Sequence, residues 1–339
     1  MDGIFGQPDV IRLLKRSRDC DRMHHAWVFS GPRGVGKFTT AIAFAESILQ
    51  RSFSNNSTNP DLHVIRKEDV AWSQNPLLRN RKQTNIPLDL IRERMIGGRT
   101  SDDKMHDAVA YKTPVLGNKK VFIIDEAELL DATGQNSLLK TLEEPPAGTT
   151  IILVTSRDDL LLPTVKSRCQ MVAFSPLDDL SMKKWTDIAC GGVDPEELAM
   201  AVAFSCGSPG IAAEALATSL PELSRALSTF LDLNSGDGYS HASSLIISHV
   251  ENSVEAHLRE NPQASKEAAN RRAAQRILML FGQSVRSMVR GDRQDEGIVA
   301  AGILSDIEHQ FSTNISIKVL LESLAARWSH LCVGDAVLV

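Results

Sequence analysis

The sequence predicts a mixed α/β first half built on a five-stranded parallel sheet, then a small helical segment and a larger all-helical domain. Three observations carry this prediction. Five short apolar runs alternate with helical patterns before residue 176. A glycine-rich loop follows the first of them directly, and after Ser175-Pro176 the strand signal disappears. Continuous apolar runs bounded by turns, with helices between them, are the pattern of a parallel sheet covered on both faces.

The elements follow in order. Ala26–Ser30 (AWVFS) is the first strand, and Thr39–Gln50 continues past the glycine-rich loop as an Ala-rich helix. Leu62–Arg66 (LHVIR), after the turn Asn59-Pro60-Asp61, is the second strand. Lys67–Gln83 is polar and basic and reads as a loop or insertion, and Ile86–Ile96 returns to a helical period. Lys120–Asp125, Thr150–Ser156 and Gln170–Phe174 are the third to fifth strands. Asp178–Ala189 and Pro195–Phe204 have the length and amphipathicity of helices, and Gly207-Ser208-Pro209-Gly210 opens another. Asn234–Gly238 is a turn cluster, and the remainder is helical, broken near Asn261-Pro262 and Gly291-Asp292. The expected domains are residues 1–175 (α/β), 176–219 (a small helical lid) and 220–339 (all-α).

Composition narrows the classes. A chain of 339 residues has room for two or three cores. With a net charge of −5, attraction of the whole molecule to nucleic acid is not expected, and any such contact must be local. The five cysteines, Cys20, Cys169, Cys190, Cys206 and Cys332, form no C-x-x-C pair, which argues against a zinc site or a disulfide framework and suits a reducing cytosol. No apolar run approaches about 18 residues and no signal-peptide core opens the chain, so the expectation is a cytoplasmic protein without a membrane span.

Gly31-Pro32-Arg33-Gly34-Val35-Gly36-Lys37-Phe38 fits a phosphate-binding loop up to its last position. The backbone N–H groups of Gly31, Arg33, Gly34, Val35, Gly36 and Lys37 would wrap a nucleotide's phosphates, with Lys37 neutralising the outer ones. The hydroxyl that should follow the lysine and bind Mg²⁺ is replaced by Phe38. Thr39 comes one residue too late, turned about 100° around the helix. Asp125-Glu126 ends the third strand; beside such a loop, Asp125 is the expected Mg²⁺ holder and Glu126 the group that activates water. Read alone, the same pair could simply open a helix. ATP with Mg²⁺ is the cofactor such a site would take, with hydrolysis weakened more than binding by Phe38.

Asn136-Ser137-Leu138-Leu139-Lys140-Thr141-Leu142-Glu143-Glu144-Pro145-Pro146, after Asp125-Glu126-Ala127-Glu128, resembles the bacterial clamp-loader branch of the AAA+ ATPases. Ser167-Arg168-Cys169 adds that family's SRC motif, and His24-His25-Ala26 a similar opening. The resemblance runs from about Phe5 to Gly210. It implies that Arg168 is an arginine finger acting in trans on a neighbouring subunit's ATP, and that Thr155 is a polar sensor of the γ-phosphate or lytic water. Without the family, Arg168 reads as a solvated surface charge or an ion-pair partner, and Thr155 as an ordinary β-branched strand residue.

Three departures separate the chain from the family's motor subunit, gamma/tau. Phe38 replaces the loop hydroxyl, Gly210 stands where the lid's sensor arginine belongs, and the chain ends at 339 residues. These features resemble the delta-prime type, a stator that need not hydrolyse ATP. The resemblance implies gamma/tau and delta subunits as partners within the DNA polymerase III holoenzyme, and through them the sliding clamp and primer–template DNA. Alternatives are an active gamma/tau-type ATPase and a stand-alone P-loop kinase. Family members often hold zinc through cysteines placed between the loop and the second strand; Arg51–Asn59 has none, so zinc is not expected. The last domain would be a helical collar joining the subunits. Its stripes Ile277-Leu278-Leu280-Phe281 and Val319-Leu320-Leu324 suit helix packing, either between subunits or within the chain. The cations Arg259, Lys266, Arg271, Arg272, Arg276, Arg286, Arg290 and Arg293 form a solvated face or a phosphate-contacting one.

Overall fold

The computed structural model describes residues 3–20, 23–50, 59–79, 84–233, 238–262, 264–311 and 315–332. It divides into two compact units, Met1–Gly191 with Gly207–Gly210, and Gly192–Cys206 with Ile211–Val339. Residues 176–219 contribute to both.

The first unit is built on the expected parallel sheet. Its strands are β1 (Ala26–Ser30), β2 (Leu62–Ile65), β3 (Lys120–Ile124), β4 (Thr149–Thr155) and β5 (Gln170–Ala173). They lie in the order β2-β3-β4-β1-β5, all parallel. Each boundary falls within a residue of the apolar run that marked it. Side chains alternate between the faces, as the two-residue strand period requires. Along β3, Val121 and Ile123 join one core with Trp27, Phe29 and Phe44, while Phe122 and Ile124 join the other with Leu90, Leu138 and Leu142. Helices α1 (Pro8–Asp19), α2 (Lys37–Leu49), α3 (Ala132–Glu143) and α4 (Asp179–Ala189) belong to this unit. The α3 start is fixed by Asp131, whose carboxylate accepts from the Gly134 N–H at 2.6 Å.

Two stretches differ from expectation. The polar segment after β2 is not open loop: Lys67–Trp72 is a 3₁₀ helix and Pro76–Arg79 a single helical turn, residues 80–83 lying outside the described ones. Lys67, Ser73 and Asn75 of this segment are buried, and the polar groups there have partners. Asp69 accepts from the Arg66 N–H at 2.9 Å, and the buried Glu93 accepts from the Ser73 hydroxyl at 2.5 Å and the Gln74 N–H at 3.0 Å. The helical period of Ile86–Ile96 resolves into one α turn, Leu88–Ile91, and a π turn, Arg92–Ile96. A two-residue antiparallel pairing, Gly98–Arg99 with Met105–His106, carried no apolar alternation and was not anticipated.

On edge strand β2, His63 pairs with Phe122 and stacks on its ring, centroids 4.6 Å apart. Burial pushes the imidazole down to about 4 from its ordinary 6.5. The unfolded chain therefore binds the proton first as pH falls, and stability should be lost between about pH 6.5 and 4. A His63→Leu variant should keep its urea midpoint across that window where the wild type's falls; parallel curves would refute the assignment.

Helix α5 (Pro195–Ser205), α6 (Pro209–Ala217) and the four long helices α7 (Tyr239–Glu260), α8 (Lys266–Arg290), α9 (Gln294–Gln310) and α10 (Ile317–Cys332) follow, with two short helices, Leu220–Ala226 and Ser228–Leu231, between α6 and α7. The second unit packs α7–α10 around Ile277, Leu280, Phe281, Leu320, Leu324 and Trp328. The two stripes are thus mostly internal core, with Val319 left 53% exposed. Residues 234–237 of the expected turn cluster lie outside the described residues. Within the basic stretch, Arg259, Arg271, Arg276 and Arg293 pair with Glu255, Glu267, Glu214 and Glu296. No helix among the described residues is long and apolar enough to cross a membrane.

Candidate functional site

Parallel strands end on the same side of a sheet, and here that side collects most of the chemistry. Ser30 aligns with Thr155, and Ile65 with Ile124. The glycine-rich loop, Arg66, Asp125-Glu126 and Thr155 therefore emerge at one edge. Gly31 opens the loop at φ +147°, where any Cβ would collide with the carbonyl of Phe174 after β5; only glycine can make this turn. Val35 is buried beneath the loop, whereas Arg33 and Thr39 are exposed. Gly34 carries a further contact that spacing did not reveal. Its carbonyl accepts from the Gly210 N–H at 2.9 Å, and a Cβ at 210 would sit 2.9 Å from the Gly34 Cα. The position expected to carry a sensor arginine thus lies too close to the loop for any side chain.

Lys37, the first residue of α2, is buried, and its ammonium donates to the carbonyls of Gly31 and Pro32, each at 2.6 Å. Burial pulls its pKa down to about 8, opposed by the charges of Glu128 and Asp125. Asp125 is raised from the usual carboxylate range by burial, with the Arg66 guanidinium pulling the other way. Glu126 adopts a left-handed backbone, φ 51° and ψ 49°, at the end of β3. Strain of that kind in a non-glycine residue concentrates at functional positions.

Both acids have basic partners from the segment after β2. Arg66 Nε lies 3.7 Å from Asp125 Oδ2, and Lys67 Nζ is bonded to Glu126 Oε2. The Arg66 guanidinium also rests over the Phe38 ring, 4.2 Å from its centroid. Thr155 is fully buried, and its hydroxyl oxygen accepts from the Arg157 N–H at 3.0 Å. Ser156 is held by Glu128, whose carboxylate accepts from its N–H at 3.1 Å and its hydroxyl at 2.6 Å. Sequence reasoning did not nominate Arg66, Lys67 or Glu128 as site residues. Only the β2–β3 pairing, across 59 residues of chain, sets Lys67 beside Glu126.

Arg168 stands apart from this cluster. It follows the short helix Pro163–Lys166 and precedes β5, whose Gln170 aligns with Trp27 near the start of β1. It is therefore at the amino edge of the sheet, beyond a strand that alone spans about 10 Å from Gln170 to Ala173 at the usual rise. Its guanidinium is braced by Glu143 at 2.5 Å, by the Thr164 carbonyl at 2.9 Å and by the Ser167 hydroxyl at 3.3 Å, while its buried Nε makes no hydrogen bond.

Cys169 anchors the other side of this turn. It packs against the core that holds Leu161 and Val165, and burial pushes its thiol up to about 12. Iodoacetamide at mildly alkaline pH should label the exposed Cys20 and Cys206 well before Cys169. Equal labelling rates, read by peptide mass spectrometry, would show that Cys169 is not packed in this way.

A family model described as DNA polymerase III, delta subunit, matches residues 6–178. The chain belongs to this family. Among curated relatives, DNA polymerase III subunit delta' of Bacillus subtilis is 30% identical over 186 residues, covering 50% of the chain and 48% of the relative. Subunit tau/gamma of Haemophilus influenzae is 32% identical over 183 residues, covering 53% of the chain and 24% of the relative. The chain thus spans less than half the length of these relatives. A solved structure of a DNA polymerase III gamma subunit-related protein from Thermotoga maritima is 17% identical, with a TM-score of 0.48 over 95% of this chain and 99% of that one. Family and relatives fall in the clamp-loader group that the LLKTLEEPP and SRC segments resemble, and the match ends just past β5, so it covers the sheet and both of its edges. Of the zinc-bearing stretch of other family members, residues 51–58 lie outside the described residues.

Proposed function

We propose that this chain is a delta-prime-type stator of a bacterial clamp loader, acting with gamma/tau and delta subunits to place the sliding clamp on primed DNA in the cytoplasm. The observation that carries this reading is the position of Arg168. At the amino edge of the sheet it is out of reach of the chain's own loop, so its charge is useful only to a neighbour. There it would neutralise charge growing on a transferred γ-phosphoryl group. Glu143, Thr164 and Ser167 hold the guanidinium in place before any neighbour arrives, which reduces the ordering cost of that contact. The chain's own loop is turned inward, with Lys37 bonded to loop carbonyls and Gly210 seated against Gly34.

Reconstitution with gamma/tau-type and delta-type subunits tests the reading. The isolated chain should turn over ATP poorly, and the assembled complex should depend on Arg168. The competing reading, a gamma/tau-type motor, draws on the intact Gly31–Lys37 spacing and on the 32% identity to a tau/gamma subunit. Robust DNA-stimulated ATPase from the isolated chain would establish it instead.

A further inference from the structure

We propose that Arg66 and Lys67 are built-in counter-cations of the Asp125–Glu126 pair, and that this cluster is closed to divalent metal. The fit of Mg²⁺ to these residues fails on three counts. Its hydroxyl ligand is absent, and the residue in that place, Phe38, offers an aromatic face that binds a cation but donates no electron pair to a metal. Asp125, its expected carboxylate, already faces the Arg66 guanidinium, and Glu126 is bonded to Lys67. Lys67 is not a solvated lysine that happens to reach inward: it is 7% exposed. A buried ammonium needs a fixed anion, and Glu126 supplies it.

The substitution is a single exchange with two effects. Replacing a loop hydroxyl by phenylalanine removes the metal's first ligand. It also creates the platform, 4.2 Å from the guanidinium carbon, on which a protein-borne cation is seated against the same aspartate. Two half-buried carboxylates without compensation would repel each other at the end of β3. Arg66 and Lys67 offset the charge of Asp125 and Glu126 from within the chain, with Glu68 a further anion 3.8 Å from the Lys67 ammonium. In a motor subunit the same edge would be completed each cycle by a metal with its nucleotide. Here it is completed permanently by the chain, so the edge keeps one shape. This inference does not depend on Arg168, which lies at the opposite edge.

The test uses Mn²⁺ as a paramagnetic probe, with ATP present, on the full chain. Wild type should bind no Mn²⁺ that is lost in Asp125→Asn. Wild-type binding abolished by Asp125→Asn would overturn the proposal with no engineered metal site involved. The double variant Phe38→Thr with Arg66→Ala restores the hydroxyl and removes the cation, and should gain Mn²⁺ affinity by at least about tenfold. Thermal unfolding supplies the readout where that variant folds poorly. Arg66→Ala should be less stable than wild type and regain stability on adding Mg²⁺, whereas wild type should not respond. Arg66→Ala that is as stable as wild type and indifferent to Mg²⁺ would overturn the counter-cation role. Loss of complex ATPase in Arg168→Ala reports on the stator reading alone, so the two proposals fail separately.

Discussion

Arg168→Ala is expected to abolish turnover at one ATP site of an assembled complex while leaving this chain folded and assembled. Arginine fingers contribute roughly 10³–10⁵ in rate where they have been removed or supplied, so turnover at the receiving site should become negligible. The total ATPase then reports how the sites are linked. If they fire independently, only that site's share disappears; if they fire in sequence, the whole DNA-stimulated rate collapses. Arg168→Lys should recover little, because an ammonium lacks the planar fork that bonds two oxygens at once. The brace gives a graded control. Glu143→Gln removes the charge that seats the guanidinium at 2.5 Å but leaves the finger present, so its effect should fall between wild type and Arg168→Ala. An unchanged ATPase in Arg168→Ala, with assembly verified by gel filtration, would remove the finger from the mechanism.

The second large effect is on stability. Trp328→Ala in α10 should cost about 3–5 kcal/mol, the usual range for deleting a buried aromatic. Trp328 has no exposed surface, meets the Phe281 ring edge-on at 4.7 Å, and donates its indole N–H to the Phe230 carbonyl at 3.1 Å. Truncation would leave a cavity among α7, α8 and α10 and an unpaired carbonyl, two penalties with little prospect of relaxation. Trp328→Phe retains most of the volume and should recover about half of the loss, separating packing from the hydrogen bond. Chemical denaturation followed by far-UV circular dichroism measures both. Because Trp328 belongs to the second unit, its loss should leave the first unit's transition in place, giving a biphasic curve. A single unshifted transition would show that α10 is not packed as described.

What the sequence made legible follows from how local each signal is. The strands were readable because fully buried parallel strands are continuous apolar runs, and five such runs bounded by turns admit few arrangements. The loop was readable because its glycines and lysine answer to one piece of backbone geometry at fixed spacing. Arg66 and Lys67 were not, because nothing near them in the chain distinguishes them from other cations after a strand. Their role is set by the register that lays Ile65 beside Ile124. Phe38 was read only for the ligand it lacks, since the value of an aromatic ring depends on what lies over it. The helical content of the segment after β2 was missed for a related reason. Ser73 and Asn75 look like loop formers until Glu93 and Asp89, well downstream, accept their hydrogen bonds.

The two edges of the sheet have a consequence for assembly. A body with a receptive pocket on one side and a donated side chain on the other has direction, like a tile with a tab and a slot. Contacts of that kind are heterologous: identical copies would continue without end unless the rotation happened to close. On the proposed reading, a copy whose own Arg66 and Lys67 hold the acids at one edge while Arg168 serves a neighbour at the other would stand at one end of such a row. Its presence would tell the row where to start and, with a fixed number of following copies, how many sites can fire.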